Sequence, residues 1–492
     1  MVETELKFRV PPGRREALRR AVATASAATT RLQAVYFDTP QLHLARAGMA
    51  LRLRKEGRLW VQTLKGRVGL LARSEHEVPL PPQRGEPALD LHRHADTPVG
   101  QALAGALAKS GLTGADLQVL YRTDVQRVHR LLRYQGASFE IAYDRGHLLA
   151  GEGATLRRYP VDELELELKS GPPQALVTLA ERWVARFGLW WDLRSKSEMG
   201  LRLALRQTLV PPTASQPVDW PAEPGPASVV AAALQAALVQ VLGNAAEMGD
   251  GSSGAEHLHQ LRVGLRRLRA VLRLLAPWCP DPAAAQALDA AWRATGRVLG
   301  VARDADVRMQ VLGPRLAAAG APPFDWPASV PVDVGACVRS ADFQRQLLHT
   351  LALSLAPSGD PVPMRPAARA LLGQAWRGLR QEARAFGRAD APARHRLRRR
   401  LKRLRYVLDV LQPLFPAKPT RRLLGRLSAA LSALGELNDI EGALALLKPH
   451  TAQHPQAWFA VGWLTARHEL LLAQAAAALT ALDDVPRPWR RA

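Results

Sequence analysis

Charge recurs at every second position in six short segments near the start of this chain, and that alternation constrains its fold more than any other feature. The segments are VETELKF (Glu3, Glu5, Lys7), LRLR (Arg52, Arg54), VQTLK (Thr63, Lys65), RSEHEV (Arg73, Glu75, Glu77), FEIAYD (Glu140, Asp144) and DELELELK (Glu163, Glu165, Glu167). A β-strand sends residues i, i+2 and i+4 to one side, so each segment carries a charged stripe backed by an apolar or mixed one. One such strand reads as a solvated sheet face. Six of them, mixing carboxylates with Arg and Lys, predict a closed barrel whose charges point inward. A bore of that kind suits divalent cations and a polyanion.

At 492 residues the chain is too long for one core, and two or three domains are expected. The formal charge of +23 and a pI near 11.1 predict an anionic partner: nucleic acid, polyphosphate or an acidic membrane. Two isolated cysteines, Cys279 and Cys337, exclude a zinc framework or a disulfide scaffold. The N-terminus enters a charged strand directly, with no visible signal peptide. No apolar run is expected to reach the roughly 18–20 residues of a membrane span. A cytoplasmic protein with no membrane partner is expected.

Residues 1–206 have β texture, with helical interruptions near 12–25, 97–110 and 173–187. Thr97-Pro98 reads as a helix cap followed by proline at the first helical position. Residues 207–228, which include PPTASQPVDWPAEPGPAS, lack periodicity and read as a stiff Pro-rich linker. Ala/Leu stripes at helical spacing fill 229–485, with breaks at 243–254, 320–333 and 356–366. The fold class is therefore α+β and multidomain: an N-terminal antiparallel β domain, then a C-terminal all-α domain. That second domain is duplicated, with copies at about 229–355 and 365–485. His259-Gln-Leu-Arg262 aligns with His395-Arg-Leu-Arg398, and LGVARDADV (Arg303, Asp304, Asp306) aligns with LGELNDIEG (Asn438, Asp439, Glu441).

The six alternating segments, with AVYFDTP and RSKSEMG, resemble the CYTH family, the triphosphate tunnel metalloenzymes. The resemblance covers roughly residues 1–205. It implies an eight-stranded antiparallel barrel with a charged tunnel that requires Mg²⁺ or Mn²⁺ and cleaves triphosphate compounds. Known members act as inorganic, thiamine or RNA triphosphatases, or as class IV adenylyl cyclases. Physical chemistry assigns roles within that frame. Lys7, Arg52, Arg54, Lys65, Arg127 and Lys196 are candidate phosphate ligands, because a triphosphate needs several cationic donors. Arg52 and Arg54 lie two apart on one strand and can grip adjacent phosphoryl groups. Glu3, Glu5, Asp144, Glu165 and Glu167 offer hard oxygen ligands to a metal. Glu75, Glu77 or Asp144 could orient the attacking water. Glu163 reads as supporting, Asp38 as either a site residue or a turn cap, and Arg122 as a strand-start or solvated residue. His76 and His129 read as packing or surface. Val125 stands where the family often has a Lys, two positions before Arg127.

In the helical half, His259, Arg262, Arg266, Arg269 and Arg273 follow 3-4-3-4 spacing and fall within an arc of roughly 80°. The copy repeats this with His395, Arg398, Lys402 and Arg405, and the adjacent Arg267, Arg399 and Arg403 widen the two basic faces. Leu261, Leu265 and Leu268 back the first stripe, and Leu397, Leu401 and Leu404 the second. Paired helices of this pattern over about residues 229–485 resemble the CHAD family, the conserved histidine α-helical domain. The resemblance implies two pseudo-symmetric bundles whose basic helices bind inorganic polyphosphate, with Asp304 and Asp439 orienting the arginines. Few aromatics interleave the basic residues, so nucleic acid ranks behind polyphosphate as a partner. The expectation is a metal-dependent inorganic triphosphatase fused to a polyphosphate-binding module, associated with polyphosphate granules. The alternatives are an organic triphosphatase acting on thiamine triphosphate or a nucleotide, a class IV adenylyl cyclase, and a non-catalytic polyanion binder.

Overall fold

The computed structural model describes residues 2–67, 70, 72–83, 85–220, 224–328, 330–356 and 362–490, with the side chains of residues 2, 3, 67, 72 and 73 outside the description. The alternating segments form the strands expected of them: β1 (Val2–Arg9), β2 (Ala28–Asp38), β3 (Met49–Glu56), β4 (Leu59–Arg67), β5 (Ala72–Leu80), β6 (Gln118–Tyr134), β7 (Ala137–Ala150) and β8 (Arg157–Ser170). Neighbours run antiparallel in the order β5-β4-β3-β2-β6-β7-β8-β1, and β1 pairs back onto β5 through Thr4 and Ala72. That last pairing, between residues 2–4 and 72–74, brings the two ends of the eight-strand order together as a barrel requires. A ninth short strand, β9 (Trp190–Trp191), extends from β1.

The side chains between the charges explain the closure. Leu6 and Phe8 of β1, and Leu164 and Leu166 of β8, are fully buried on the outer wall, where α4 (Pro173–Phe187) covers them with Leu176, Leu179 and Ala180. Each such side chain contributes about 1.5–3 kcal/mol by leaving water. α1 (Arg15–Val22), α2 (His43–Arg46) and α3 (Pro98–Ala108) cover other parts of the wall, and Thr97 accepts from the Gly100 N–H as the predicted cap. α5 (Lys196–Leu205) follows β9, with the Ser195 hydroxyl as its cap.

The rest of the chain is helical: α6 (Pro226–Asp250), α7 (Ala255–Leu274), α8 (Pro282–Val307), α9 (Gly313–Ala318), α10 (Val334–Arg339), α11 (Ala341–Ser354), α12 (Met364–Arg384), α13 (Ala391–Leu411), α14 (Ala417–His450) and α15 (Ala457–Asp483). α7 packs on α8 and on α13, α13 on α12 and α14, and α14 on α15. The leucines behind both basic stripes are buried, as the spacing predicted.

Two expectations are corrected here. The break placed at 243–254 begins later, because α6 runs unbroken to Asp250. α6 is also long and apolar enough to cross a membrane by composition, with 67% of its apolar window buried in the protein, as a core helix would be. The break at 356–366 falls partly on 357–361, outside the described residues.

The chain divides into two compact units. The first is Met1–Pro212 with Ala245–Ser253 and Gly335–Leu348. The second is Thr213–Asn244 with Gly254–Val334 and His349–Ala492. The end of α6 therefore packs with the barrel.

Candidate active site

Register places the charges of neighbouring strands side by side. Glu5 of β1 stands opposite Glu167 of β8, and Glu167 opposite Glu140 of β7, so three carboxylates form one row. One step along, Lys7 faces Glu165. On the other wall Lys65 faces Glu75, while Thr63 lies between Arg52 and Glu77. A cavity of about 560 Å³ runs between these walls. It is lined by Glu5, Lys7, Arg52, Arg54, Lys65, Glu75, Glu77, Arg127, Asp144, Glu165, Glu167 and Lys196. The side chain of Glu3 lies outside the described residues. Glu140, Lys169, Tyr36 and Tyr121 line the same space, and so do Ser195, Ser197 and Glu198 at the start of α5.

One wall is a closed ionic cluster. Lys196 Nζ lies 2.7 Å from Asp144, 2.9 Å from Glu163 and 2.7 Å from Glu165. The Arg127 fork donates twice to Asp144, at 2.7 Å each, and also to Glu165. Lys7 reaches Glu163 at 3.3 Å. Burial pushes the carboxyls of Asp144 and Glu165 up, but Arg127 and Lys196 outweigh it and hold both below the usual carboxylate range. Burial likewise pulls Lys196 down, and Asp144, Glu163 and Glu165 overcome it, so the ammonium is held charged.

The opposite wall carries a looser set. Arg52 donates to the Tyr36 hydroxyl at 3.2 Å and lies 3.6 Å from Glu75 and from Glu77. Arg54 meets Glu77 at 3.0 Å and also pairs with Glu56, and Lys65 pairs with Glu75. The Arg54 guanidinium is pulled down by burial and by Arg52. The buried Nε atoms of Arg52 and Arg54 find no acceptor among the described residues. The Arg54 guanidinium already feels the charge of Arg52, so a polyanion between the two relieves that repulsion. Burial raises the Tyr36 hydroxyl, but Arg52, Lys65 and Lys196 hold it below its ordinary value. Its ring stacks on Tyr121 with centroids 4.6 Å apart.

Several residues take the plainer of the roles open to them. Asp38 accepts from the N–H groups of Thr39, Leu44 and Ala45 at 2.7–2.9 Å and so caps α2, while it also lines the cavity. Arg122 pairs with Glu86 at the surface. His76 bonds His94 outside the bore, and His129 stands 3.9 Å from Glu140. Val125 lines the cavity and packs with Leu32, Leu148 and Val161. Glu163, read as supporting, is 2% exposed and joins Lys7 to Lys196.

Glu5 and Glu167, opposite each other on β1 and β8, offer hard oxygen donors of the kind a divalent cation takes. Among the described residues no three carboxylates or imidazoles converge on one point. Mg²⁺ and Mn²⁺ need no such cage, since Mg²⁺ usually takes one or two carboxylates and completes its shell with water and substrate phosphate.

The second unit holds a separate basic site. α7 and α13 pack together with their stripes adjoining: Lys402 is pushed down to about 6 by burial and then by Arg398, Arg266 and Arg262. The buried Nε atoms of Arg262, Arg266 and Arg398 have no acceptor among the described residues. The repeated LG motif makes room for this. A Cβ on Gly300 would stand 3.0 Å from Arg262, and one on Gly435 3.4 Å from Arg398, so each copy gives its arginine a groove across the neighbouring helix. Arg262 uses it to donate to the Gly296 carbonyl at 3.0 Å. His259 and His395 sit at the N-terminal ends of the stripes, and His395 bonds Asn438. Arg267 lies over the Tyr406 ring, and Arg405, Arg399 and Arg403 extend the basic face of α13. Asp304 and Asp439, expected to orient the arginines, act on Arg262 and Arg398 through their charge, which offsets part of the pull of burial on those guanidiniums. No ion pair within 4 Å reaches either aspartate among the described residues, and Asp289 holds Arg269 at 2.8 Å and Arg273 at 3.5 Å.

Comparison with known proteins matches residues 1–188 to the family model of the CYTH domain and residues 232–448 to that of the CHAD domain. An inorganic triphosphatase of Haemophilus influenzae is 32% identical over 178 residues, which cover 35% of this chain and 46% of that protein. The chain thus spans about half the length of this curated relative. The CHAD domain of the plant Ricinus communis is 27% identical, with 56% of this chain and 99% of that one covered and a TM-score of 0.42. A Hippeastrum protein reported with a dominant triphosphatase activity is 18% identical, with 41% and 95% covered and a TM-score of 0.27.

Proposed function

We propose, for a chain that joins a CYTH domain to a CHAD domain, that the barrel hydrolyses inorganic triphosphate with a divalent metal and that the α7–α13 face binds inorganic polyphosphate. The observation that carries the first half is the bore itself, where unsatisfied guanidinium donors of Arg52 and Arg54 face a cluster of fixed charges. Arg52, Arg54 and Lys65 would hold the outer phosphoryl groups, with Arg127 and Lys7 toward the other end. Lys196, held by three carboxylates, keeps a fixed positive charge where negative charge grows on the transferred group. Glu77 accepts from Thr63 at 3.2 Å and is 41% exposed, so it is placed to orient an attacking water. Glu5 and Glu167 would hold Mg²⁺ or Mn²⁺, which would supply positive charge against the negative charge developing on phosphate. The Tyr36 and Tyr121 rings that line the bore stack on each other with centroids 4.6 Å apart, which takes up the ring faces a base or thiazole would need between them. That favours the inorganic substrate.

Phosphate release from tripolyphosphate, ATP and thiamine triphosphate by the purified full chain, with Mg²⁺ and then Mn²⁺, tests the reading. Tripolyphosphate is expected to be turned over fastest. Conversion of ATP to cyclic AMP with little tripolyphosphate hydrolysis would overturn it.

A further inference from the structure

Lys7 is held at the bore by more than its neighbours on the barrel wall. Its Nζ donates to the backbone carbonyl of Arg194 as well as to Glu163, and the side chain is 5% exposed. Arg194 is itself 4% exposed, and three carboxylates fix its guanidinium. Asp192 accepts from Nε at 2.9 Å and from Nη2 at 2.7 Å, Asp250 accepts from Nη2, and Glu247 lies 3.4 Å from Nη1. Glu247 also accepts from Arg202 of α5 at 2.7 Å, and Asp250 from the Tyr159 hydroxyl at 3.1 Å. Burial pulls the Arg194 guanidinium down, and Asp192, Asp250 and Glu247 more than reverse it.

Glu247 and Asp250 lie in the last turns of α6, within the Ala245–Ser253 stretch that packs as part of the first compact unit. Two residues after Arg194 comes Lys196, the fixed cation of the bore. A displaced Arg194 would move both the carbonyl that holds Lys7 and the start of α5 that carries Lys196.

We infer that Glu247 and Asp250 are positioning residues for the triphosphate site, which hold Arg194 and through it Lys7 and Lys196. The inference rests on the proposed function of the bore. Residues 1–206 alone therefore lack two carboxylates on which that geometry depends.

The test compares the full chain with Glu247→Gln/Asp250→Asn in two measurements. In tripolyphosphate hydrolysis, kcat should fall about tenfold or more while KM stays within about threefold, because the other bore cations still bind the substrate but its lysines are misplaced. Glu247→Asp and Asp250→Glu, which keep the charges, should each stay within about threefold of the parent kcat. Amine-reactive labelling read by mass spectrometry should find Lys7 modified at least about fivefold faster in the double variant. Unchanged Lys7 labelling, or a kcat within twofold of the parent, overturns the inference. Should the double variant not fold, Asp250→Asn alone is read by the same measurements. A parent chain that hydrolyses no tripolyphosphate would refute the proposed function, while the labelling result would still decide whether the carboxylates position Lys7.

Discussion

Lys196→Met isolates the charge at the centre of the bore, because it removes the ammonium and keeps the apolar stem. In the intact site Nζ lies within 2.9 Å of Asp144, Glu163 and Glu165. Breaking a buried ionic cluster by removing one partner costs about 3–5 kcal/mol. Arg127 still holds Asp144 and Glu165, and Lys7 still holds Glu163, so the loss should lie near about 3 kcal/mol. At about 2–4 °C per kcal/mol for a domain of 150–250 residues, the barrel's melting transition should drop by roughly 6–12 °C. Turnover should fall about 100-fold or more. The pH dependence gives a sharper test. Burial raises these three carboxyls and the cations outweigh it, so all three sit below the ordinary range. Groups with a depressed folded-state pKa contribute stability above their unfolded pKa, and that stability is lost as the pH falls through the folded value. Without Lys196 the offset to burial is weaker and the carboxyls move upward. The difference between parent and variant should then be largest near pH 7 and shrink toward about pH 5. Scanning calorimetry of the full chain at both pH values reads this. A drop under about 2 °C, or a difference that widens at pH 5, would refute the reasoning.

Glu167→Gln takes one carboxylate from the row that would hold the metal. Mg²⁺-dependent turnover should fall about 100-fold, toward the rate in excess EDTA, and a rate within threefold of the parent would remove Glu167 from the metal site. Gly200→Ala puts a methyl group onto the Tyr121 ring. It should cost about 1–3 kcal/mol by calorimetry and reduce turnover through the Tyr36 stack, whereas an unchanged melting temperature would mean α5 shifts freely. Lys402, pushed down to about 6, is largely neutral at pH 7 and takes up a proton when an anion binds beside it. Polyphosphate affinity should therefore fall by up to about tenfold per unit between pH 7 and 8.5, and Lys402→Met should flatten that slope. Calorimetric titration across that range checks both, and a flat profile in the parent would refute it.

The bore was legible because a strand has a period of two: once Glu5, Arg54 and Glu167 alternate with buried leucines and valines, their common face follows from register. The helix stripes were legible for the matching reason at a period of 3.6. Partnership within a face was not. Nothing in the spacing distinguishes Glu165, taken up by Lys196 and Arg127, from Glu167, whose nearest cation is the half-exposed Lys169 at 2.7 Å. Asp289 escaped notice because it is nowhere near the repeated LG motif and reaches Arg269 only through helix packing. Glu247 and Asp250 were hidden by the reading of 243–254 as a break. A helix continuing through Gly243 in close contact with Thr213 carries no periodic signature of its own.

An experimental structure of the full chain with tripolyphosphate and Mn²⁺ bound would bear most directly on all of this. Phosphate oxygens within hydrogen-bonding reach of Arg52, Arg54 and Arg127, with anomalous density for manganese beside Glu5 and Glu167, are the predicted result. Tripolyphosphate bound elsewhere, with the barrel's interior charges still paired only to one another, would contradict it.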